Sequence, residues 1–183
     1  DPLPSLFTFN MPNESIKKLM GLSVPLAEVK VKGTKLSSTG PLLITHWGMS
    51  GPTILKTSAF GARELADMNY NFTCLVNWVG GKKEHEIRAA LEEELQEMGK
   101  RKVINRNPFH IPNRLWEFLI EKAEIAPDKI WMELGKKPLN KLINTLVNDE
   151  YEVKEKTTFK EEFVTAGGVD QKHVDPKTMQ SKT

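Results

Sequence analysis

Cysteine is all but missing from this 183-residue sequence. Cys74 stands alone, so no disulfide can close within the chain, and the usage fits a reducing, cytoplasmic compartment. Long apolar runs are missing too. None approaches the roughly 20 residues of a membrane-spanning helix and no cleavable signal pattern is visible, so no membrane partner is expected. Nor is there an excess of one charge. With 26 Lys and Arg against 24 Asp and Glu the net charge is +2 and the signs are interspersed, so electrostatics give no reason to expect a nucleic-acid partner. Neither a G-x-G-x-x-G nor a Walker A loop occurs, which removes any self-contained phosphate cradle. His46, His85, His110 and His173 are scattered without zinc-ligand spacing, and no metal is expected.

What remains is a chain of ordinary globular composition, 39% hydrophobic and 27% charged, long enough for one domain or two small ones. Prolines 2, 4 and 12 surround Ser5-Leu6-Phe7-Thr8-Phe9, a short edge strand or extended lead-in. Asn13 is placed to cap a brief helix over 14–20, stopped by Gly21. Residues 22–32 alternate, with Ala27, Val29 and Val31 on one face, as in a half-solvated strand. Gly33 and residues 37–40 read as turns. Residues 69–79 alternate again, placing Phe72, Cys74, Val76 and Trp78 together, so Cys74 reads as a small buried hydrophobe rather than a nucleophile.

At Gly80-Gly81 the period changes from 2 to 3.6. Ile87, Leu91, Leu95 and Met98 form one apolar stripe over 84–98, and Glu86, Glu92, Glu93, Glu94 and Glu97 fall mostly on its solvated face. A second helix is expected from Asn113, as its cap, to Ile125. A short third follows over 127–134, and a fourth has Pro138 at its first position. Tyr151 and Val153 then return to a period of 2, continuing in kind over 157–164. The expected organisation is α+β. The strands of a discontinuous β subdomain over 1–81 and 149–183 are expected to share one sheet or barrel, with a helical subdomain over 82–148 inserted in a single excursion.

The most distinctive stretch is Gly40-Pro41-Leu42-Leu43-Ile44-Thr45-His46-Trp47-Gly48-Met49-Ser50-Gly51-Pro52, which reads as strand, tight turn, helix start. Gly48 and Gly51 permit backbone angles closed to other residues. Ser50 is a candidate helix cap, and Pro52 suits a first helical turn. Ser50 has half of a nucleophile elbow, but Gly51 adjoins it where the elbow needs a glycine two residues away. His46 ends an apolar strand, where side chains project into loop-lined crevices. Gly167-Gly168, after Thr165, permits close approach by a backbone or a flat ligand.

Residues 40–55 resemble the G-x-L-L-F-T-H-x-G-x-S-G-P-x-x-L signature of a bacterial flavoprotein family, the NAD(P)/FAD-dependent oxidoreductases of BaiN or aminoacetone-oxidase type. Thr165-Ala166-Gly167-Gly168-Val169 and Thr178-Met179-Gln180-Ser181-Lys182 are similar to that family's T-x-G-G-V…T-M-x-S-K segment. The family's dinucleotide-binding βαβ unit and its second FAD-contacting segment are not in this sequence, which opens on Asp1-Pro2 and closes on a polar run, as a piece of a longer protein would.

The resemblance implies a six-stranded Greek-key-type barrel carrying an inserted helical bundle, placed between the halves of a FAD-binding domain of the same polypeptide. FAD would be the cofactor and NAD(P)H the co-substrate. His46, Gly48, Ser50 and Gly51 would lie nearest the substrate cleft, with His46 the catalytic candidate, and Thr165, Gly167 and Gly168 would contact the cofactor. The region would cover the flavin and shape the cleft for hydride transfer to a small-molecule substrate, and would be inactive alone. Two rival readings remain: a translation-factor-like barrel that binds RNA, and a protein-interaction module whose mark would be an exposed apolar patch at Leu115, Trp116 or Trp131.

Overall fold

Alternating apolar residues in the first half of the chain build an antiparallel sheet that curls until its edges nearly meet. The computed structural model describes residues 2–97, 99–154 and 164–182. After β1 (Leu3–Ser5) the sheet uses β2 (Phe9–Asn10), β3 (Ser23–Val31), β4 (Ser37–Ile44), β5 (Gly48–Ser50), β6 (Asn71–Asn77) and β7 (Asp149–Lys154). Their order is β2-β5-β4-β3-β6-β7, every neighbouring pair antiparallel. Placing β2 beside β5 rather than beside β3 makes the first four of these strands a Greek key. The two edge strands face each other. The Asn10 side-chain amide donates to the Lys154 carbonyl at 3.1 Å, and the Phe9 ring packs edge-on against Phe72 with centroids 5.0 Å apart. The result is a nearly closed six-stranded barrel, the fold that the family resemblance implies.

The barrel interior takes the predicted faces. Ala27, Val29, Val31, Leu42, Ile44 and Cys74 are all buried. Burial also pushes the Cys74 thiol far above its ordinary pKa, with Asp149 adding to the effect, so it behaves as a hydrophobe. In β3 the register against β4 shifts between Val24 and Ala27. Pro25, with no N–H to give the ladder, sits in that bulge, and the bulge turns Leu26 outward, 53% exposed.

Several local expectations give way to pairing. Residues 37–40, read as turns, belong to β4, because β3 supplies hydrogen-bond partners for their backbone and no apolar side chain is needed at that half-solvated end. The single lead-in strand is two. Leu6, with φ of 56°, kinks the chain between β1 and β2. β1 pairs instead with β8 (Val164–Ala166), Leu3 opposite Ala166 and Ser5 opposite Val164. Between Ile44 and the first helix stands the short β5 rather than a bare turn. Residues 15–19 form a 3-10 turn preceded by Glu14, not Asn13, at the cap position.

Helices α1 (Pro52–Phe60) and α2 (Ala62–Asp67) cover the barrel. Between β6 and β7 the chain forms α3 (Glu84–Glu97), α4 (Asn113–Lys122) and α5 (Lys136–Val147). The helix expected over 127–134 shrinks to a 3-10 turn, Trp131–Glu133, because residues 99–103 pair with 129–132 in an extended bridge. Asn113 is the first residue of α4, after Pro112 at the cap. Pro138 is the third of α5 and not its first, still within the turn whose amides lack helical partners. Leu115, Trp116 and Trp131 are buried, so the exposed patch that would mark the protein-interaction reading is not there. Met98, Glu155, Lys156 and the strand expected over 157–163 lie outside the described residues. Among the described residues no helix is long and apolar enough to cross a membrane.

Candidate functional site

The Thr45-His46-Trp47 turn between β4 and β5 is built by its threonine. The Thr45 hydroxyl accepts hydrogen bonds from the Trp47 and Gly48 amides at 3.3 and 3.2 Å, and the Thr45 amide donates to the Gly48 carbonyl at 2.8 Å. A local hydroxyl-to-amide closure of this kind fixes a tight turn without using its central side chains. His46 and Trp47 are thus left on the outside, their rings 4.5 Å apart, with Trp47 40% exposed. The fold uses Thr45 and Gly48; it makes no evident use of the His46 imidazole.

The two glycines of the motif are consumed by packing. A Cβ on Gly48 would lie 2.3 Å from the Phe9 carbonyl oxygen, and one on Gly51 would lie 2.9 Å from the Leu43 nitrogen. Gly51, with φ of 91°, is also the cap residue of α1, without any side-chain cap. Ser50 is therefore not the cap. Its hydroxyl accepts from the Thr8 hydroxyl at 3.1 Å, joining β5 to the lead-in. The first turn of α1 is packed down as well, with Thr53 and Ile54 fully buried and the Thr53 hydroxyl donating to the Pro41 carbonyl at 2.9 Å.

Thr165, Gly167 and Gly168 follow a different pattern. Thr165 is opposite Pro4 in the β1–β8 ribbon, and both glycines are exposed. Gly167 has φ of 112°, and a Cβ on Gly168 would meet nothing within 4 Å. The structure therefore leaves open backbone here, as a flat ligand lying against it would require. It does not bring the two predicted groups together within one pocket. The Met11 amide donates to the Trp47 carbonyl at 2.8 Å, so the His46 turn adjoins residue 11 while Thr165 adjoins residue 4, at the other end of the same segment.

One buried polar cluster escaped the pattern reading. Asp149, at the start of β7, is 3% exposed. Its carboxylate accepts from Trp78 Nε1 at 2.9 Å and from the Tyr151 hydroxyl, and Lys122 Nζ stands 2.6 Å away. The same ammonium lies 4.1 Å from the Tyr151 ring centroid. Burial raises the Asp149 pKa above the ordinary carboxylate range, against the pull of Lys122, Tyr151 and Trp78. The cluster fastens α4 to the barrel and is closed to any substrate. Its sequence signal was the pair of buried rings, Trp78 and Tyr151, each carrying a polar atom that needs a partner.

Two recesses involve the helical side. One of about 590 Å³ runs between Lys18, Arg114, Phe118, Glu121 and Ile125. Another, of about 710 Å³, is lined by Asn105, Arg106, His110, Asn113 and Glu117 among others. Glu94, expected on the solvated face of α3, is instead buried and takes a two-pronged hydrogen bond from Arg106 at 2.9 and 3.0 Å. That contact holds the guanidinium above its ordinary pKa.

These features define a class: a small Greek-key barrel with helices inserted between its last two strands, an exposed histidine turn and a separate two-stranded ribbon. The chain belongs to the HI0933-like protein barrel and H2TH domain family, which it matches over residues 3–164. Two curated proteins similar to it are each named ribosomal RNA dihydrouridine synthase. The one from Escherichia coli (strain K12) is 26% identical over 178 residues, 96% of this chain and 41% of that protein. The one from Haemophilus influenzae is 27% identical over 180 residues, 96% of this chain and 40% of that protein. The chain thus spans about two fifths of the length of the relatives it matches.

Proposed function

We propose that this chain is the substrate-side region of a flavin-dependent oxidoreductase, inserted into a FAD-binding domain, and that the whole enzyme reduces uridine in RNA. The observation that carries the reading is the β1–β8 ribbon, which sets residue 3 beside residue 166. A region that leaves and rejoins another domain needs its two connections side by side, and the family signature around residues 40–55 and 165–182 belongs to flavoproteins. The relatives' name supplies the substrate class. Dihydrouridine is uridine with a hydride and a proton added across one carbon–carbon double bond, and hydride supply of that kind is flavin chemistry, with NAD(P)H as the donor that renews it.

Within this reading residues 1–81 and 149–183 supply the barrel and the β1–β8 ribbon, and 82–148 the inserted helices. The open backbone at Thr165, Gly167 and Gly168 lies against the flavin, while the grip on its phosphates belongs to the flanking FAD-binding domain. His46 is the candidate to hold the proton the base receives, presented by the Thr45 turn, and Gly48, Ser50 and Gly51 set the position of that turn beside the cleft. The RNA substrate departs from the small molecule that the resemblance implies and from the absence of a nucleic-acid partner expected from charge balance.

The test separates the pieces. The purified chain titrated with FAD should leave the flavin spectrum unchanged. The longer protein that includes it should purify yellow and, with NAD(P)H, convert uridine to dihydrouridine in ribosomal RNA, read by mass spectrometry of nucleosides. A longer protein that holds no flavin would sink the assignment, and tight FAD binding by the chain alone would move the cofactor grip into it.

A further inference from the structure

The near-zero net charge conceals a segregation. Residues 99–116 contain Lys100, Arg101, Lys102, Arg106 and Arg114 and no Asp or Glu, directly after the Glu-rich α3. We propose that this segment is an RNA-docking face that carries the substrate strand toward the His46 turn; the inference rests on the reading of the enzyme as one that acts on RNA.

The segment is held rigid from behind. Arg101 offers its backbone carbonyl to the Trp131 amide at 3.0 Å, and the Val103 amide donates to the Lys129 carbonyl at 2.9 Å. Trp116 Nε1 donates to the Val103 carbonyl at 3.0 Å, and Asn107 closes the next turn by donating to the Ile111 carbonyl. None of these contacts uses the cationic heads of Lys100, Arg101 or Lys102, which are exposed and have no ion-pair partner among the described residues. Fixed backbone with free cations is the arrangement that neutralises phosphates at little ordering cost.

The same segment continues into the recess of about 710 Å³, whose lining begins at Ile104, with the exposed residues Asn105, His110 and Asn113 around it. Neither asparagine amide has a side-chain hydrogen bond among the described residues. An asparagine amide offers a donor and an acceptor together, the pairing a base edge presents, and an imidazole offers a stacking face. The acids that face this surface include Glu121 and Glu124, which line the recess between Arg114 and Lys18. Glu94 is consumed by Arg106, Glu97 acts on Arg106 from α3, and Glu117 lines the recess from α4.

The face is also connected to the histidine turn. Arg114 reaches the Lys18 carbonyl at 3.4 Å, adding the exposed Lys18 to the row of cations. Three residues on, the Gly21 amide donates to the Ile44 carbonyl at 2.9 Å, two residues before His46. A strand lying along Lys100–Lys102, Arg114 and Lys18 is thereby led toward the end of the barrel that holds the candidate proton donor.

The experiment is a binding titration of the purified chain with deproteinised, dye-labelled ribosomal RNA over a range of salt. The charge reversal K100E/R101E/K102E should weaken binding by about tenfold or more and lower the slope of log affinity against log salt by about two, the release expected from three lost phosphate contacts on a single strand. K100R/K102R should bind as the parent does. K30E/K32E/K154E, on the barrel, should bind nearly as well, since those lysines already pair with Glu28, Glu150 and Glu152. Circular dichroism of each variant checks that the fold is kept. The inference is overturned if K100E/R101E/K102E binds RNA like the parent, if the barrel variant loses as much, or if poly-L-glutamate competes as well as RNA does, which would assign the face to an acidic protein. Flavin absorbance of the longer protein is a separate readout: flavin present with RNA binding indifferent to these charges defeats the docking face alone, and a functioning face without flavin defeats the oxidoreductase reading.

Discussion

Gly48 and Gly168 look equivalent as letters and differ in what surrounds them. Gly48 has the Phe9 carbonyl where a Cβ would go, so Gly48→Ala is expected to lower the unfolding free energy by about 1–3 kcal/mol in urea titrations. Gly168 faces open space. Gly168→Ala should leave stability within about 0.5 kcal/mol and yet weaken flavin retention in the longer protein; unchanged retention would remove this glycine from the cofactor contact. Asp149 makes a prediction of opposite character. Burial raises its folded-state pKa above the reference value of 3.8, so over a window running upward from 3.8 the folded state binds the proton more tightly than the unfolded one. That contribution is present in full at lower pH and is lost as pH rises through the folded-state pKa. The unfolding free energy of the parent minus that of Asp149→Asn, measured from pH 3 to pH 7, should therefore fall with rising pH. A difference that grows would show that Lys122, not burial, dominates the carboxylate.

The helices between β6 and β7 are tied together by two stacked indoles, Trp116 and Trp131, 6.5 Å apart and both buried. Their N–H groups have different fates: Trp116 Nε1 donates to Val103, whereas Trp131 Nε1 has no partner among the described residues. An unpaired buried donor already carries its desolvation penalty, so Trp131→Phe should cost at least about 1 kcal/mol less than Trp116→Phe, as thermal or urea unfolding would report. Elements of this kind were legible beforehand wherever period alone decides them. The stripe through Ile87 and Leu91 and the alternation through Val29 and Val31 appear as expected, and so does the β-α-β order. Illegible were the features that depend on distant partners. Residues 37–40 carry turn-forming side chains, and only β3 makes them strand; the Trp78–Asp149 bond joins residues 71 positions apart. Within the motif, sequence did not reveal the division of labour, in which Thr45, Gly48 and Gly51 serve the fold and His46 does not.

That division allows one decisive substitution. The β1–β8 ribbon at residue 4 and the histidine turn at residue 11 stand at opposite ends of one lead-in segment, so the proposed enzyme holds its connection to the FAD-binding domain and its proton donor on separate supports. His46 is exposed and the turn that carries it is closed by Thr45. His46→Ala in the longer protein should accordingly change unfolding free energy by less than about 0.5 kcal/mol and leave flavin absorbance and RNA affinity intact. Loss of a positioned proton donor should slow dihydrouridine formation at saturating RNA by roughly 100-fold or more, and His46→Gln, which keeps a hydrogen-bonding side chain without a titratable proton, should not restore it. A full rate in either variant removes His46 from the chemistry, and a defect confined to KM makes it a binding residue, because the turn, the flavin and the docking face would all still be in place.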